Sequence, residues 1–556
     1  MKLIPNLKSL SLEALVAQMI VVRASGYLFD HQIQYPQWEP PSQKLQYWLQ
    51  DLGVGGVILL GGSAGELAIR CQQLQEWASI PLLIAADIEE GVGQRFSGAT
   101  WFPPPMAIGA VAVKDSNKAQ DYAQQMGAIT AQEALAIGIN WILAPVVDVN
   151  NNPQNPVINI RAFGETSDVV SQLACGFIQG TQKYPVLTTA KHFPGHGDTA
   201  TDSHLDLPIL PHSIERLHEV ELLPFNAAIS AGVDAVMTAH LLIPTLDEEY
   251  PATLSQRVLT GLLRQELGFE GLIVTDALVM GAIAHRYGAD EAPIMALEAG
   301  ADILLMPVNP ETAIPAICNA VRSGRIPQER ILASVKRIWE AKSKVMGRGG
   351  ERERGRGGEF FESAAVSAGF VEQLAQPTAL QTAADILRDS LKMGGSFPLP
   401  PEPVNRTRLL RNLIIVDDVL SCDGLSRNAP AVALPRELGY ELQLVDRNTP
   451  AIGEELVDGV DTRPTLLQVF IRGNPFRGTA GLTPVAEDWF NKLLSTQNLQ
   501  ALVIYGSPYV LQRLLPKLPA DMPYVYSYGQ TPEAQAIALK VVFSQTGSTT
   551  LVTEFI

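Results

Sequence analysis

Tyr184-Pro185-Val186-Leu187-Thr188-Thr189-Ala190 leads directly into Lys191-His192-Phe193-Pro194-Gly195-His196-Gly197-Asp198-Thr199-Ala200-Thr201-Asp202-Ser203-His204. The first segment is mostly apolar and reads as a buried strand. The second holds three of the chain's eight histidines, a lysine and two aspartates. Pro194 and two glycines prevent it from being one regular element. Ionisable residues on a loop leaving a buried strand occur where α/β folds place their chemistry, at the carboxyl ends of strands.

Outward from this stretch the pattern repeats. Apolar runs centre near residues 20, 57, 83, 142, 186, 236, 273 and 304. They alternate with helix-period segments such as 117–136, 167–180, 215–231, 254–267 (with Ser255 as its cap) and 327–346. The strand runs are continuously apolar, as expected when both faces are covered. Eight β/α units in about 340 residues predict a (β/α)8 TIM-type barrel over residues 1–346. A doubly wound open sheet would alternate in the same way, but no Gly-x-Gly-x-x-Gly follows the first clear strand. Residues 347–369 read as a linker, opened by a charged glycine- and arginine-rich run. Residues 370–556 change character, with strands near 413–417, 465–471, 501–506 and 522–528 among helices. They predict a smaller, open α/β sandwich domain.

Composition narrows the function. The chain has 556 residues, enough for two or three domains, with 58 acidic against 41 basic side chains and a formal charge of -17. That balance argues against nucleic acid and anionic membranes as partners. The four cysteines, Cys71, Cys175, Cys318 and Cys422, form no close sequence pair, so buried free thiols are expected rather than zinc knuckles or disulfides. The first residues lack the order of a secretory signal, and no apolar run reaches about 18 residues. A cytoplasmic protein is the expectation.

In a barrel the strand ends share one mouth. They are Asp87, Asp148, the 191–204 stretch, His240 and Asp276. Asp276 ends an apolar strand and is a nucleophile candidate, or else a helix cap before Ala277-Leu278-Val279-Met280. Asp202-Ser203-His204 offers an acid/base dyad in which the carboxylate stabilises the imidazolium; a solvated pair is the alternative. His192, His196, Asp198, Asp202 and His204 are all metal-ligand types. However, the two histidines four apart span Pro194 and Gly195, so no helix presents them together, and neither a metal nor a cofactor is expected. Lys191, His192, Arg95 and Arg161 suit hydrogen bonding to sugar hydroxyls. Lys191 as a Schiff base would instead suit an aldolase or lyase.

These segments resemble glycoside hydrolase family 3, in its β-N-acetylhexosaminidase (NagZ-like) branch. The resemblance rests on Lys191-His192-Phe193-Pro194-Gly195-His196-Gly197 followed by Asp202-Ser203-His204, and on Thr275-Asp276-Ala277-Leu278-Val279-Met280-Gly281-Ala282-Ile283. It covers residues 10–345 well and the C-terminal region more loosely. It implies Asp276 as nucleophile and His204 as general acid/base partnered by Asp202. It also implies Asp87, Arg95, Arg161, Lys191 and His192 as contacts to a terminal N-acetylglucosamine. The implied activity is a retaining exo-β-N-acetylglucosaminidase acting on small carbohydrates or muropeptides through a glycosyl-aspartate. Phosphorolysis, a broader β-glycosidase and non-catalytic sugar binding are its alternatives. The sequence departs from the family pattern after the third strand, where Glu90 replaces a glycine and Val92 an arginine. Glu90 would be strained if that position required positive φ.

Overall fold

The computed structural model describes residues 4–201, 206–346, 369–399, 409–449, 463–473 and 481–543. Its first unit contains β1 (Ile20–Ser25), β2 (Gly56–Leu60), β3 (Leu83–Ala86), β4 (Trp141–Ile142), β5 (Leu187–Phe193), β6 (Ala235–Thr238), β7 (Leu272–Val274) and β8 (Leu304–Leu305). The order is β7-β6-β5-β4-β3-β2-β1-β8. A parallel bridge from Val274 to Ile303 brings β7 against the approach to β8. The result is a nearly closed eight-stranded parallel α/β barrel, as the alternation predicted.

The continuous apolar runs have a direct cause. Every residue of β5 is buried, because one face lines the barrel interior and the other meets the helices. Polar atoms inside are paired; Trp141 Nε1 donates to Thr189 Oγ1 at 2.8 Å. At the opposite end from the site, buried Asp302 accepts from Arg264, Arg337 and Arg330 at 2.8, 3.0 and 3.4 Å. Buried Lys342 donates to Gln18 Oε1 at 2.6 Å.

Several boundaries differ from the sequence reading. β5 runs on through Phe193, so Lys191 and His192 belong to the strand rather than to a loop. β4 was expected over residues 140–149 but its ladder covers only Trp141–Ile142. Pro145 has no N–H to extend it, and Val146 only bridges Lys191. Helix Pro105–Ala112 was not anticipated behind three consecutive prolines, yet proline is tolerated in a first helical turn. Ser255 does cap, accepting from Val258 N at 3.3 Å.

The second unit is a six-stranded sheet of order β11-β10-β12-β13-β14-β9. Here β9 is Lys392–Gly394, β10 Leu410–Val416, β11 Tyr440–Val445, β12 Thr465–Ile471, β13 Leu499–Gly506 and β14 Tyr524–Ser527. β9 is antiparallel to β14 and the other pairs are parallel. Helices Pro430–Glu437, Pro484–Ser495 and Pro532–Phe543 pack around it, giving the expected open α/β sandwich. Helix Pro377–Ser390 docks on helix Pro105–Ala112 of the barrel. Asp389 accepts there from Tyr122 Oη at 2.7 Å and Lys118 Nζ at 2.6 Å. Apart from Gly369, the expected linker lies outside the described residues. The four cysteines are free thiols, two buried and two partly buried. Among the described residues no helix is long and apolar enough to cross a membrane.

Candidate active site

At the mouth of the barrel the strand-end residues meet as an ion network. Lys191, 1% exposed on β5, places Nζ 2.7 Å from Asp87 Oδ1 and 2.6 Å from Glu89 Oε1. Glu89, just beyond β3 and almost fully buried, also accepts from Arg161 Nε and Nη2, both at 2.8 Å. Arg161 Nη1 donates to Val157 O at 2.9 Å, and Arg95 Nε to Asp87 O at 3.0 Å. Burial opposes charge on Lys191, Glu89 and Arg161, but opposite charges nearby outweigh it. Glu89 is therefore held well below the usual carboxylate range by Arg161 and Lys191. Lys191 and Arg161 are held above their ordinary values by the facing carboxylates.

A second cluster follows β4 and β5. Asp148 is fully buried and accepts from His192 Nδ1 at 2.8 Å, His192 N at 3.2 Å and His196 N at 2.6 Å. Burial would raise its pKa, yet His192 and His196 hold it below the ordinary value. His192 is thereby oriented by a carboxylate on its Nδ1 side. His196 is buried and lowered to about 4, chiefly by desolvation, so it is neutral at pH 7. Its Nδ1 pairs with Thr199 Oγ1 at 2.8 Å, while Asn155 Nδ2 ties the carbonyls of His196 and Gly197 at 2.8 and 2.9 Å. Gly197 has no room for a side chain, since a Cβ would lie 1.8 Å from Val149 O. His196 is thus part of the loop's architecture.

Asp276 follows β7 and is partly buried. Its Oδ1 accepts from Ala277 N at 2.7 Å, and its charge acts on His196 across the mouth. The segment behind it is pinned. Leu278 N donates to Leu305 O at 2.9 Å, Thr275 Oγ1 accepts from Leu305 N at 2.9 Å, and buried His240 donates from Nε2 to Ala277 O at 3.1 Å. A cavity of about 280 Å³ beside Val279 lies over the ends of β1 and β8, lined by Arg23, Trp38, Trp48 and Met306.

Of the residues expected at the site, Asp87, Arg95, Arg161, Lys191 and His192 stand together on the β3, β4 and β5 side, and Asp276 follows β7. Asp202 and His204 lie outside the described residues. Just past them, Asp206 pairs with Arg286 at 2.7 Å. The sequence reading names Asp148 only as a strand end and does not single out Glu89, two residues beyond Asp87. The partners that surround these two buried carboxylates are a tertiary property. Glu90 is not strained, because the positive φ of 83° falls on Gly91, where a Cβ would also lie 2.7 Å from Thr100 O. Asp198, His212 and Glu221 bring ligand-type atoms within 4.8 Å of one another. The Arg216 guanidinium lies 3.6 Å from Asp198 and 3.2 Å from Glu221, so a cation of the chain itself balances that cluster.

Comparison with known proteins agrees with this architecture. Residues 11–341 match the glycosyl hydrolase family 3 N-terminal domain, and residues 404–544 the bacterial glycosyl hydrolase family 3 C-terminal domain. A β-hexosaminidase A of Pseudoalteromonas piscicida is 35% identical over 323 residues, covering 52% of this chain and 54% of the relative. The chain therefore spans about half the length of that relative. A β-hexosaminidase of Thiobacillus denitrificans is 36% identical over 269 residues, 48% of this chain and 74% of its own. A solved family 3 β-N-acetylglucosaminidase of Paenibacillus sp. is 30% identical, with TM-score 0.75 and coverage of 96% and 98%.

Proposed function

The chain belongs to glycosyl hydrolase family 3, and from that premise we propose that it is a retaining exo-β-N-acetylglucosaminidase. The observation that carries this reading is the Asp87–Lys191–Glu89–Arg161 network at the strand ends of the barrel, the same end at which Asp276 follows β7. Fixed cations and an exposed edge of Asp87 suit the hydroxyls of a terminal sugar. A carboxylate on a rigid strand end suits attack at its anomeric carbon.

In this reading Asp276 displaces the aglycone and forms a covalent glycosyl ester. His204, stabilised by Asp202, protonates the departing oxygen. His204 then takes a proton from water, which releases the sugar with its β configuration retained. Asp87, Arg95, Arg161, Lys191 and His192 hold the sugar. The relatives named as β-hexosaminidases support N-acetylglucosamine as that sugar. The substrate class we assign is peptidoglycan fragments ending in β-N-acetylglucosamine, encountered in the cytoplasm.

The test is release of nitrophenol from the β-N-acetylglucosaminide and from the matching β-glucoside, with products weighed by mass in the presence and absence of phosphate. Preferential release of free N-acetylglucosamine is expected. No turnover, preference for the glucoside, or a sugar phosphate as the main product would each overturn the assignment. Cleavage of N-acetylglucosaminyl-anhydro-N-acetylmuramic acid tests the natural substrate.

A further inference from the structure

Two loops of the barrel mouth are touched by one short segment of the C-terminal domain. Arg472 directly follows β12 and reaches Glu90, which is 1% exposed. Arg472 Nη2 lies 2.6 Å from Glu90 Oε1, and its Nη1 lies 3.4 Å from Oε2. Trp101 Nε1 donates to Oε2 at 3.0 Å. The backbone of Glu90 is held on both sides, its N–H donating to Gln94 Oε1 at 3.0 Å and its carbonyl accepting from Phe102 N at 2.8 Å. The preceding residue, Glu89, carries Lys191 and Arg161. This two-residue step is therefore fastened to the barrel's cations through one carboxylate and to the other domain through the next.

Gly473 presses on the second loop. A Cβ there would lie 2.7 Å from Asn159 Cβ and 3.1 Å from Pro156 O, beside the turn that presents Arg161. The base of the segment is anchored by Ser507 N donating to Ile471 O at 2.8 Å. Without its guanidinium, Glu90 would be a buried carboxylate with an indole and, among the described residues, no countercharge, which favours movement of the loop toward water.

We propose that Arg472 is a positioning residue for the sugar subsite, acting through Glu90 on Asp87, Glu89 and the cations they hold. This rests on the reading of that site as one for N-acetylglucosamine. The C-terminal domain thereby determines how tightly the barrel grips the terminal sugar, without touching it.

The experiment compares the full-length wild type with Arg472→Met, Arg472→Lys, Glu90→Gln and the Glu90→Gln/Arg472→Met double variant. It reads KM and kcat on the nitrophenyl N-acetylglucosaminide, inhibition by free N-acetylglucosamine, and thermal unfolding. Arg472→Met should raise KM and the inhibition constant about tenfold, the size expected for losing one buried charge-assisted hydrogen bond, with kcat little changed. Arg472→Lys should recover most of the loss, and the double variant should be no worse than the poorer single one. Unchanged KM and inhibition in folded variants, an effect confined to kcat, or fully multiplicative losses would overturn the proposal. If Arg472→Met does not fold, Glu90→Gln decides alone by the same criterion. A wild type that neither turns over nor binds N-acetylglucosamine refutes the sugar reading itself, and this inference with it.

Discussion

Glu89→Gln removes one buried charge while preserving shape. Glu89 is 3% exposed and makes three short contacts, to Lys191 at 2.6 Å and to Arg161 at 2.8 Å twice. Without its charge, Arg161 keeps the Val157 carbonyl and Lys191 keeps Asp87. Removing one member of a buried ion pair costs about 3–5 kcal/mol, and glutamine's remaining carbonyl oxygen places this change near 3. With about 2.1 cal/mol/K of unfolding entropy per residue, the matched barrel of residues 11–341 should lose roughly 4 °C in Tm. The acid limb should change as well. The folded-state pKa of Glu89 lies below its ordinary value, so on acidification the unfolded chain binds the proton first. The carboxylate's stabilisation is therefore complete above the unfolded pKa of about 4.3 and disappears as pH falls through the folded value. Calorimetry of both proteins between neutrality and pH 3 is the assay. A Tm within about 1 °C of wild type at pH 7, or an identical acid limb, would refute the network's role.

Other expectations follow from the same geometry. Asp276→Asn should abolish turnover while N-acetylglucosamine still binds, as titration calorimetry would register. His204→Ala should slow alkyl glycosides far more than activated aryl glycosides; equal losses would remove His204 as the acid. Lys342 is buried and lowered to about 7 by desolvation. Between that value and its unfolded pKa near 10.4 the unfolded chain binds the extra proton, so stability from this group rises with pH across that range. Lys342→Met should flatten the rise, measured as Tm against pH. Gly197→Ala should lower Tm and activity together, because its Cβ would collide with Val149 O.

Much of the fold was legible because burial on both faces of a parallel strand leaves an unbroken apolar run, and eight such runs have few ways to close. The apolar run 140–149 predicts too long a strand because apolarity marks burial, whereas a ladder also needs donors, and Pro145 lacks one. Lys191 and His192 read as loop residues in the sequence because a polar pair ends an apolar pattern. Their carboxylate partners follow β3, 104 residues from Lys191, and β4, 44 residues from His192, and local periodicity contains no trace of them.

The sequence by itself determined the barrel, the sandwich domain and the residue types at the strand ends, since these follow from local apolarity and short motifs. Only the tertiary structure decided which charges offset one another. Glu89 lies under Lys191 and Arg161, Asp148 orients His192, and Glu90 meets Arg472 across 382 positions of chain. The physical reason is that a buried charge is tolerated only by a partner within a few ångströms, and folding rather than sequence distance supplies that partner.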